Sequence, residues 1–482
     1  MPKTIKSITN PKLHLDILTP QEVKKIHDAT LWIIEKVGIR FPSQRALEIW
    51  YSHGAEVDSA KMVIRAKPEL IEKALRTCPP TYPLAGRDPQ LELSLDGNHV
   101  FVGTDGCGVE VIDITNGQRR VSSLNDVRDI ARIADATEEV AFHWVPVSAQ
   151  DKPPETRGLH EIKTIWENST KHIQTESIYN EREALAAIEM AGLIVGGKEK
   201  LSQRPVLSLM QCSASPLGHD GGSVDAALVA AEYGLPTGFM TMAANLTTGP
   251  ATLAGNLAVG NAEVIAGAAL IQLAFPGAPV FYAAAQTASD LRTGAYTGGG
   301  PEDFLYGAVT NVLSDFYNIP LSMGSFATGA KEPNWQAGIE NSLSTFMACI
   351  VMSDMLLGVG FLHGSRIWSY SEMMMDCEIF SIIHKTMQGI VVDDETLALD
   401  TIAAVGPGGN FLSQKHTLKH MRDIFLPQFM DRRPYSEWEE KKDNARDWAL
   451  AKARKLLETH RPDPLDEKIS VEMAKIISTM EA

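Results

Sequence analysis

Short apolar runs alternate with longer amphipathic stretches along most of the chain, from about residue 140 onward. This alternation is typical of parallel strands joined by helical crossovers. Eight such runs can be counted, and eight strands close a barrel whose interior side chains can fill. The predicted strands lie at residues 141–149, 172–177, 205–215, 236–244, 279–287, 320–328, 355–364 and 410–414. We expect an α/β fold, a (β/α)8 TIM barrel. A doubly wound open sheet is the alternative, but no GxGxxG turn follows the first run.

The segments at the two ends of the chain have other patterns. Near the N-terminus, Thr19 and Glu22 form a capping-box signature before a helical stretch, and two more helical stretches follow. Residues 99–121 then alternate around Asn116-Gly117, which is a hairpin signal. We therefore expect three parts. They are a helical and β-hairpin extension (1–139), the barrel (140–415) and a charged helical tail (416–482) that a second copy of the chain could contact in a homo-oligomer.

Composition narrows the possible partners. Acidic residues outnumber basic ones by 60 to 44, which argues against wrapping nucleic acid. The five cysteines are odd in number and widely spaced, so neither a disulfide framework nor a zinc motif is indicated. The N-terminal residues lack the apolar segment of a signal peptide. The longest apolar stretch, residues 262–277, is shorter than a membrane span needs. We expect a cytoplasmic protein without a membrane partner.

In a (β/α)8 barrel, functional residues gather at the carboxyl ends of the strands. Here the ends combine one clear carboxylate with several aromatic and amide side chains, and they show no lysine and no metal-ligand spacing. We predict no metal site there. The residues at the predicted ends are His143, Trp144, Glu176, Gln211, Met242, Tyr282, Gln286, Phe326, His363, Gln414 and His416.

Aromatic side chains at several strand ends suit a quaternary ammonium ion. Such a cation has no N–H to donate, whereas an aromatic face attracts it by about 0.5 to 2 kcal/mol per well-placed contact. The alternative is that these rings simply pack in the core. Glu176 is a candidate counter-charge or a member of a hydrogen-bonded network. Asp105 and Cys107, in the predicted β-hairpin region, are candidates to reach over the same mouth.

His363 and Arg366 follow the seventh predicted strand and could bind a substrate carboxylate, with arginine as a bidentate donor. The alternative is that they hold a loop in place. The glycine-rich segment 292–303 lacks a Walker lysine, so a flexible lid is favoured over a phosphate site.

Several segments in the same order resemble the trimethylamine methyltransferase superfamily over nearly the whole chain. They include TLWIIEKVGIRF, YPLAGRDP, TLAGNLAVGNAEVIAG, TGAYTGGGPED, GAKEPNWQAG, VGPGGNFLSQKHT and FMDRRPYSEWEEK. The resemblance implies a (β/α)8 barrel. It also implies an enzyme that transfers a methyl group from an amine to the cobalt of a partner corrinoid protein.

One departure from the family pattern concerns the substrate. The founding trimethylamine enzymes carry pyrrolysine near the segment that here reads FATGAKEPNWQAG, and this chain has only standard residues. The chain resembles the non-pyrrolysine branch, whose members demethylate glycine betaine, proline betaine, carnitine or γ-butyrobetaine, and it is most similar to the glycine betaine enzymes. The resemblance implies no tightly bound cofactor, because the corrinoid that accepts the methyl group belongs to the partner.

The barrel rule and this chemistry together give a specific hypothesis. Glu176 and His363 position the substrate, and His363 and Arg366 bind its carboxylate. One rival function is a metal-independent lyase or hydrolase with Glu176 and Asp105 as an acid–base pair. Another rival is a quaternary-amine binder without catalysis. The hypothetical cage around the trimethylammonium group consists of Phe101, Trp144, Tyr282 and Phe326.

Overall fold

Eight parallel strands form a closed barrel at the centre of the protein, as the sequence predicts. The computed structural model describes residues 6–9, 15, 17–106 and 108–482. The strands follow in chain order, and the last strand pairs with the first as well as with the seventh, so the barrel is closed. We number them β1 (His99–Thr104), β2 (Val140–Trp144), β3 (His172–Thr175), β4 (Leu207–Cys212), β5 (Thr237–Thr241), β6 (Val280–Ala284), β7 (Leu321–Gly324) and β8 (Met355–Val359).

A helix follows each barrel strand. All but the last return the chain to the start of the next strand, which is the connection that neighbouring parallel strands require. The helices are α1 (Leu124–Ala136), α2 (Arg157–Asn168), α3 (Glu181–Val195), α4 (Gly221–Glu232), α5 (Leu253–Ala274), α6 (Pro301–Tyr317), α7 (Trp335–Ile350) and α8 (Tyr370–Met387). The predicted (β/α)8 architecture is therefore confirmed.

One predicted strand is wrong. Residues 410–414 form no strand and instead precede the short helix Lys415–His420. The strand that completes the barrel is β1, which lies inside the predicted extension, so the barrel begins before residue 140. Its pairing with β8 joins Phe101 to Met355, far apart in the chain.

The hairpin predicted at Asn116-Gly117 is present. Glu110–Ile112 pairs antiparallel with Arg119–Val121. The hairpin joins Phe361–Leu362 and Ile367–Trp368 in a four-stranded sheet. Because these segments follow the carboxyl ends of β1 and β8, the sheet stands at the open end of the barrel.

The N-terminal helices pack on the outside of the barrel against α5. They are Pro20–Trp32, Gln44–Ser52 and Pro68–Leu75, and a π-helical turn, Ile33–Val37, extends the first. The predicted capping box is formed. The main-chain N of Glu22 donates to Oγ1 of Thr19 at 3.3 Å, and a carboxylate oxygen of Glu22 accepts from the main-chain N of Thr19 at 2.8 Å. A small antiparallel sheet follows, consisting of Ile39–Arg40, Val63–Arg65 and Glu56–Asp58.

A second hairpin closes the bottom of the barrel. Its strands, Tyr82–Leu84 and Leu93–Leu95, contribute leucines to the core inside the barrel. The hydroxyl of Tyr82 donates to the main-chain oxygen of Val280 at 2.8 Å, where β6 begins. Since the bottom is filled by apolar side chains, a ligand has access from the opposite end.

Helix α5 is longer than the apolar stretch seen in the sequence, because it begins at Leu253 and spans 22 residues. Among the described helices, it alone is long and apolar enough to cross a membrane. However, 89% of its most apolar window is buried inside the protein, between the barrel and the N-terminal helices. This buried position explains why the helix is apolar.

The chain after α8 has two parts. Helices Ala445–Thr459 and Glu467–Glu481 pack on the barrel helices. Residues 388–444, by contrast, lie mostly at the surface, and the short helices Asp394–Leu397, Leu399–Val405, Lys415–His420 and Tyr435–Lys441 contain no buried residue. Exposed apolar side chains here, such as Leu412 and Leu426, are compatible with a second copy of the chain, and that contact stays a prediction.

Candidate active site

Asp105 lies at the carboxyl end of β1 and inside the rim of the barrel. Alternate residues of a strand share a face, so Asp105 follows Phe101 and Gly103 on the inner face. It is buried, and burial raises its pKa to about 6, although hydrogen bonds from Ser365 and from the main chain of Gly106 oppose the shift. The N–H of Gly106 donates to Oδ1 over 2.9 Å. Asp105 is therefore a carboxylate at the barrel mouth that is ionised at neutral pH.

A second carboxylate, Glu176, follows β3 and is also buried. The charge of Glu176 acts on the thiol of Cys212, the last residue of β4, so these two side chains lie near each other. Burial raises the pKa of Cys212 to about 12, and the negative charges of Glu176 and Asp105 add to that rise. The three side chains thus meet at the same end of the barrel. Two carboxylates at the same end of the barrel favour binding of a cation there.

The indole ring of Trp144 lies at the same end of the barrel, in the core inside it. Its Nε1 is buried and has no hydrogen-bond partner within the described residues. The main chain of Gly106 passes directly over the ring, because a Cβ atom at that position would lie 2.5 Å from Cε2 of Trp144. Gly106 therefore permits the loop that carries Asp105 to approach the ring.

Two loops meet over the mouth. One is the tip of the hairpin after β8, where His363, Gly364 and Ser365 have φ of 58°, 62° and 58°. The other is the glycine-rich loop, which contains Tyr296. A Cβ atom added at Gly364 of the hairpin tip would lie 3.0 Å from the ring of Tyr296, so the two loops touch. The ring of Tyr296 is partly exposed, while burial of its hydroxyl and then the charges of Asp303 and Asp105 raise its pKa. The loops cover the side of the mouth that holds Asp105.

His363 lies on the rim, and its main-chain N donates to the oxygen of Ala330 at 2.7 Å. Its pKa is lowered, first by burial and then by the positive charges of Lys331 and Arg366. Arg366 is exposed and its Nε lies 3.7 Å from Oε2 of Glu110, so its guanidinium is turned toward that carboxylate. The rim therefore carries positive charge above a negatively charged interior.

The structure does not assemble the predicted four-ring cage. Tyr282 and Phe326 pack in the outer core, between the barrel wall and its helices. Tyr282 is one residue out of phase with Phe281, which faces inward, and Phe326 lies beyond the end of β7 with a φ of 48°. Phe101 does face inward, but it stacks on His99 at the bottom of the barrel, with ring centroids 5.5 Å apart. Only Trp144 lies near the carboxylates.

Other strand-end candidates also face away from the interior. His143 contacts Oγ of Ser169 through Nε2 at 2.7 Å. The side-chain amides of Gln211 and Gln286 donate to the main-chain oxygens of Ile178 and Asn256. Met242, in contrast, is 42% exposed on the loop after β5, at the open end. Gln414 and His416 lie outside the barrel, and Cys107 lies outside the described residues.

The mouth thus combines an indole ring, two carboxylates and a cationic rim. Sequence reasoning identified Trp144, Asp105, Glu176 and His363, but it missed Ser365, Tyr296 and Cys212. Ser365 could have been found, because it belongs to the same GFLHGSR segment as His363. Nothing in the local pattern indicates that Tyr296 meets Gly364. This arrangement can hold a small organic cation that also carries a negative group.

The whole chain, residues 1–482, matches a family described as trimethylamine methyltransferase (MttB). A trimethylamine methyltransferase MttB of Desulfitobacterium hafniense (strain DSM 10664 / DCB-2) is 33% identical over 464 residues, which cover 96% of this chain and 93% of the relative. A glycine betaine methyltransferase of Desulfitobacterium hafniense (strain Y51) is 32% identical over 466 residues, with 96% of each chain covered. A trimethylamine methyltransferase MttB of Methanosarcina barkeri is 31% identical, covering 96% of this chain and 95% of the relative.

Two solved structures have a similar fold. The hydroxylamine complex of MtmB has a TM-score of 0.52 at 11% identity and covers 91% of this chain and 92% of that one. The monomethylamine methyltransferase MtmB of Methanosarcina barkeri has a TM-score of 0.50 at 11% identity, with 90% and 97% covered. At this identity the likeness concerns the fold, and it agrees with the closed barrel described above.

Proposed function

The chain belongs to the trimethylamine methyltransferase family and is a methyltransferase, and from this premise we propose that it moves a methyl group from glycine betaine to the cobalt of a partner corrinoid protein. The observation that carries the choice of substrate is the charge arrangement at the mouth. Asp105 and Glu176 suit a trimethylammonium group beside Trp144. The cationic rim around His363 suits a carboxylate.

Sequence supports a quaternary amine over trimethylamine. Relatives named as trimethylamine methyltransferase and as glycine betaine methyltransferase match the chain at similar identity along nearly its whole length, so the matches alone do not choose the substrate. The supporting feature is that the chain has a standard residue at every position, whereas the founding trimethylamine enzymes carry pyrrolysine. A quaternary amine leaves as a neutral tertiary amine, so no general acid is needed.

In the proposed reaction the chain acts by binding and orientation. Trp144 and the two carboxylates hold the trimethylammonium group, and His363 with Lys331 or Arg366 holds the carboxylate. The N–CH3 bond breaks, its electron pair stays on nitrogen, and the methyl group goes to the partner. A reduced corrinoid supplies a strongly nucleophilic Co(I) as methyl acceptor. Orientation of this kind can lower the barrier by about 7 to 11 kcal/mol at best.

The surface around the mouth suits docking of a second protein. Exposed apolar side chains stand on the loops that follow β5 and β6, among them Met242, Leu246 and Leu291. Exposed apolar residues grouped on one face commonly mark a protein contact. We propose that the corrinoid domain binds here and excludes water from the mouth, and that the chain itself holds no cofactor tightly.

A direct assay tests the proposal. The purified protein is incubated with reduced cobalamin and, separately, with glycine betaine, proline betaine, carnitine, γ-butyrobetaine or trimethylamine, and methylcobalamin is followed by absorbance. We expect turnover with glycine betaine and none with trimethylamine. Turnover with another betaine would correct the substrate. Heat on titration without any methylcobalamin would favour a binding protein, and a demethylated or cleaved product without cobalamin would favour a hydrolase or lyase.

A further inference from the structure

Three potential metal ligands meet in the exposed segment beyond the barrel. Glu395 belongs to the short helix Asp394–Leu397, and His416 and His420 lie one turn apart on Lys415–His420. One ligand atom from each side chain lies within 4.8 Å of the other two. Two histidines four residues apart on a helix present their rings on the same face, which is a common arrangement for binding a transition metal. The three groups are chemically those that zinc prefers.

His420 is oriented as a metal ligand usually is. Its Nδ1 lies 2.7 Å from Oδ2 of Asp423, and its Nε2 lies 3.2 Å from Oε1 of Glu395. A carboxylate behind a histidine accepts the Nδ1 proton and leaves the Nε2 lone pair directed at the metal. Asp423 is therefore placed to accept the Nδ1 proton when an ion replaces the contact of Nε2 with Glu395.

His416 is the third candidate ligand. Its Nε2 lies 3.2 Å from the main-chain oxygen of Glu395, and when Nε2 donates its proton to that oxygen the lone pair is on Nδ1. Its ring centroid is 4.4 Å from that of His420. The two imidazoles are thus already close together, so binding an ion requires little rearrangement of the main chain.

The site borders a surface cavity, and the charge of Lys419 now balances that of Glu395. A surface cavity of about 450 Å3 borders Glu395 and His416 and is lined in addition by Asp394, Asp400 and Lys419. The ammonium group of Lys419 now lies 2.7 Å from Oε1 of Glu395. Because the Lys419 side chain is 61% exposed, it can move into solvent when an ion takes its place. The cavity gives water access to the side of the site formed by Glu395 and His416.

We propose that Glu395, His416 and His420 bind a divalent transition-metal ion, with Zn2+ as the best match. The site lies outside the barrel and plays no part in the proposed methyl transfer. Its effect is structural, because it ties Asp394–Leu397 to Lys415–His420 in a segment whose short helices bury no side chain. Where an apolar core is small, metal binding can supply the free energy that orders the chain.

The test uses the full chain after removal of metals by chelation. Co2+ is added first, and we expect visible absorption bands of a low-symmetry site at one equivalent per chain. Zn2+ should abolish the bands by displacement. Calorimetry with Zn2+ should show that His416→Ala and Glu395→Gln each lose at least tenfold in affinity, and Asp423→Asn should lose about 10- to 100-fold by misorienting His420.

A matched control separates this site from general surface binding. His160 lies on α2, and its Nε2 is 2.9 Å from a carboxylate oxygen of Glu481. It is not one of the proposed ligands, so His160→Ala should keep wild-type zinc affinity. Lys419→Ala should bind at least as tightly as wild type, because it removes a competing cation. The proposal is overturned if Co2+ gives no bands, or if zinc affinity is the same in wild type, His416→Ala and Glu395→Gln. Circular dichroism of each variant verifies that it folds.

Discussion

The hydroxyl of Tyr282 donates a hydrogen bond to Oδ1 of Asn261 over 3.1 Å. Tyr282 lies on β6 and Asn261 on α5, so the bond connects the barrel wall to the helix that covers it. The amide of Asn261 donates in turn to Oγ1 of Thr30 at 2.7 Å and to the hydroxyl of Tyr317 at 2.8 Å. All four side chains are buried or nearly so. The network joins three layers of the protein through a single asparagine.

We expect Tyr282→Phe to reduce stability without changing substrate binding. Removing the hydroxyl leaves a buried acceptor on Asn261 without its donor, which costs about 1 to 3 kcal/mol. Urea denaturation measures the loss, with the exposed Tyr51→Phe as a control that should match wild type. If Tyr282→Phe instead weakened betaine binding at unchanged stability, the ring would belong to the pocket after all.

The sequence predicts only in part which strand-end residues face the pocket. In a parallel barrel both faces of a strand are buried, so strands read as continuous apolar runs, and the alternation that would reveal the inner face is missing. The barrel rule predicts that both Trp144 and Tyr282 face inward. Trp144 does, whereas Tyr282 faces outward. The barrel rule selects the correct end of a strand. Whether a residue there faces inward or outward depends on the register of the strand with its neighbours.

The number of strands was predictable, but the identity of one was not. The segment that contains β1 also contains the Asn116-Gly117 turn, and the local pattern favours pairing within that segment. The turn does form its own hairpin, between Glu110–Ile112 and Arg119–Val121. The preceding strand pairs with β8 instead. Such a contact between distant parts of the chain leaves no periodic signal in either of them.

Trp144→Leu should weaken glycine betaine binding by about 2- to 30-fold. This range follows from a cation–π contribution of about 0.5 to 2 kcal/mol, since about 1.4 kcal/mol corresponds to tenfold in affinity. Calorimetric titration measures it. The matched control is Phe326→Leu, another buried aromatic near a strand end, whose ring lies in the outer core. Equal loss in both variants would mean that destabilisation, and not cation binding, explains the effect.

Binding should also depend on pH through Asp105. Its pKa is raised by burial to about 6, so the carboxylate becomes neutral as pH falls through that value and attracts the cation less. We expect the dissociation constant of glycine betaine to rise between pH 7 and pH 5. In Asp105→Asn the affinity should be low and should no longer fall between pH 7 and pH 5. The exposed carboxylate of Glu332 offers a control, and Glu332→Gln should retain the wild-type pH profile.

Outside the site, a buried pair of acids predicts how stability changes with pH. Glu372 and Asp376 share the amide of Asn341, which lies 3.0 Å from Oε1 of Glu372 and 2.8 Å from Oδ1 of Asp376. Burial raises the pKa of Glu372, and burial together with the charge of Glu372 raises the pKa of Asp376 well above its usual value. At neutral pH the folded protein therefore holds at least one proton on this pair.

Because the pKa values of Glu372 and Asp376 are higher in the folded than in the unfolded chain, protonation of the pair stabilises the fold fully only at a pH below the unfolded values. This contribution to the free energy of unfolding declines as pH rises above them, at a slope of up to about 1.4 kcal/mol per pH unit for each proton bound. Glu372→Gln places an amide donor beside Asp376 without needing that proton. Thermal unfolding between pH 6 and 9 should show a decline in wild type and in the surface control Glu189→Gln, and a flatter profile in Glu372→Gln. Parallel profiles in all three proteins would show that the pair does not share a proton.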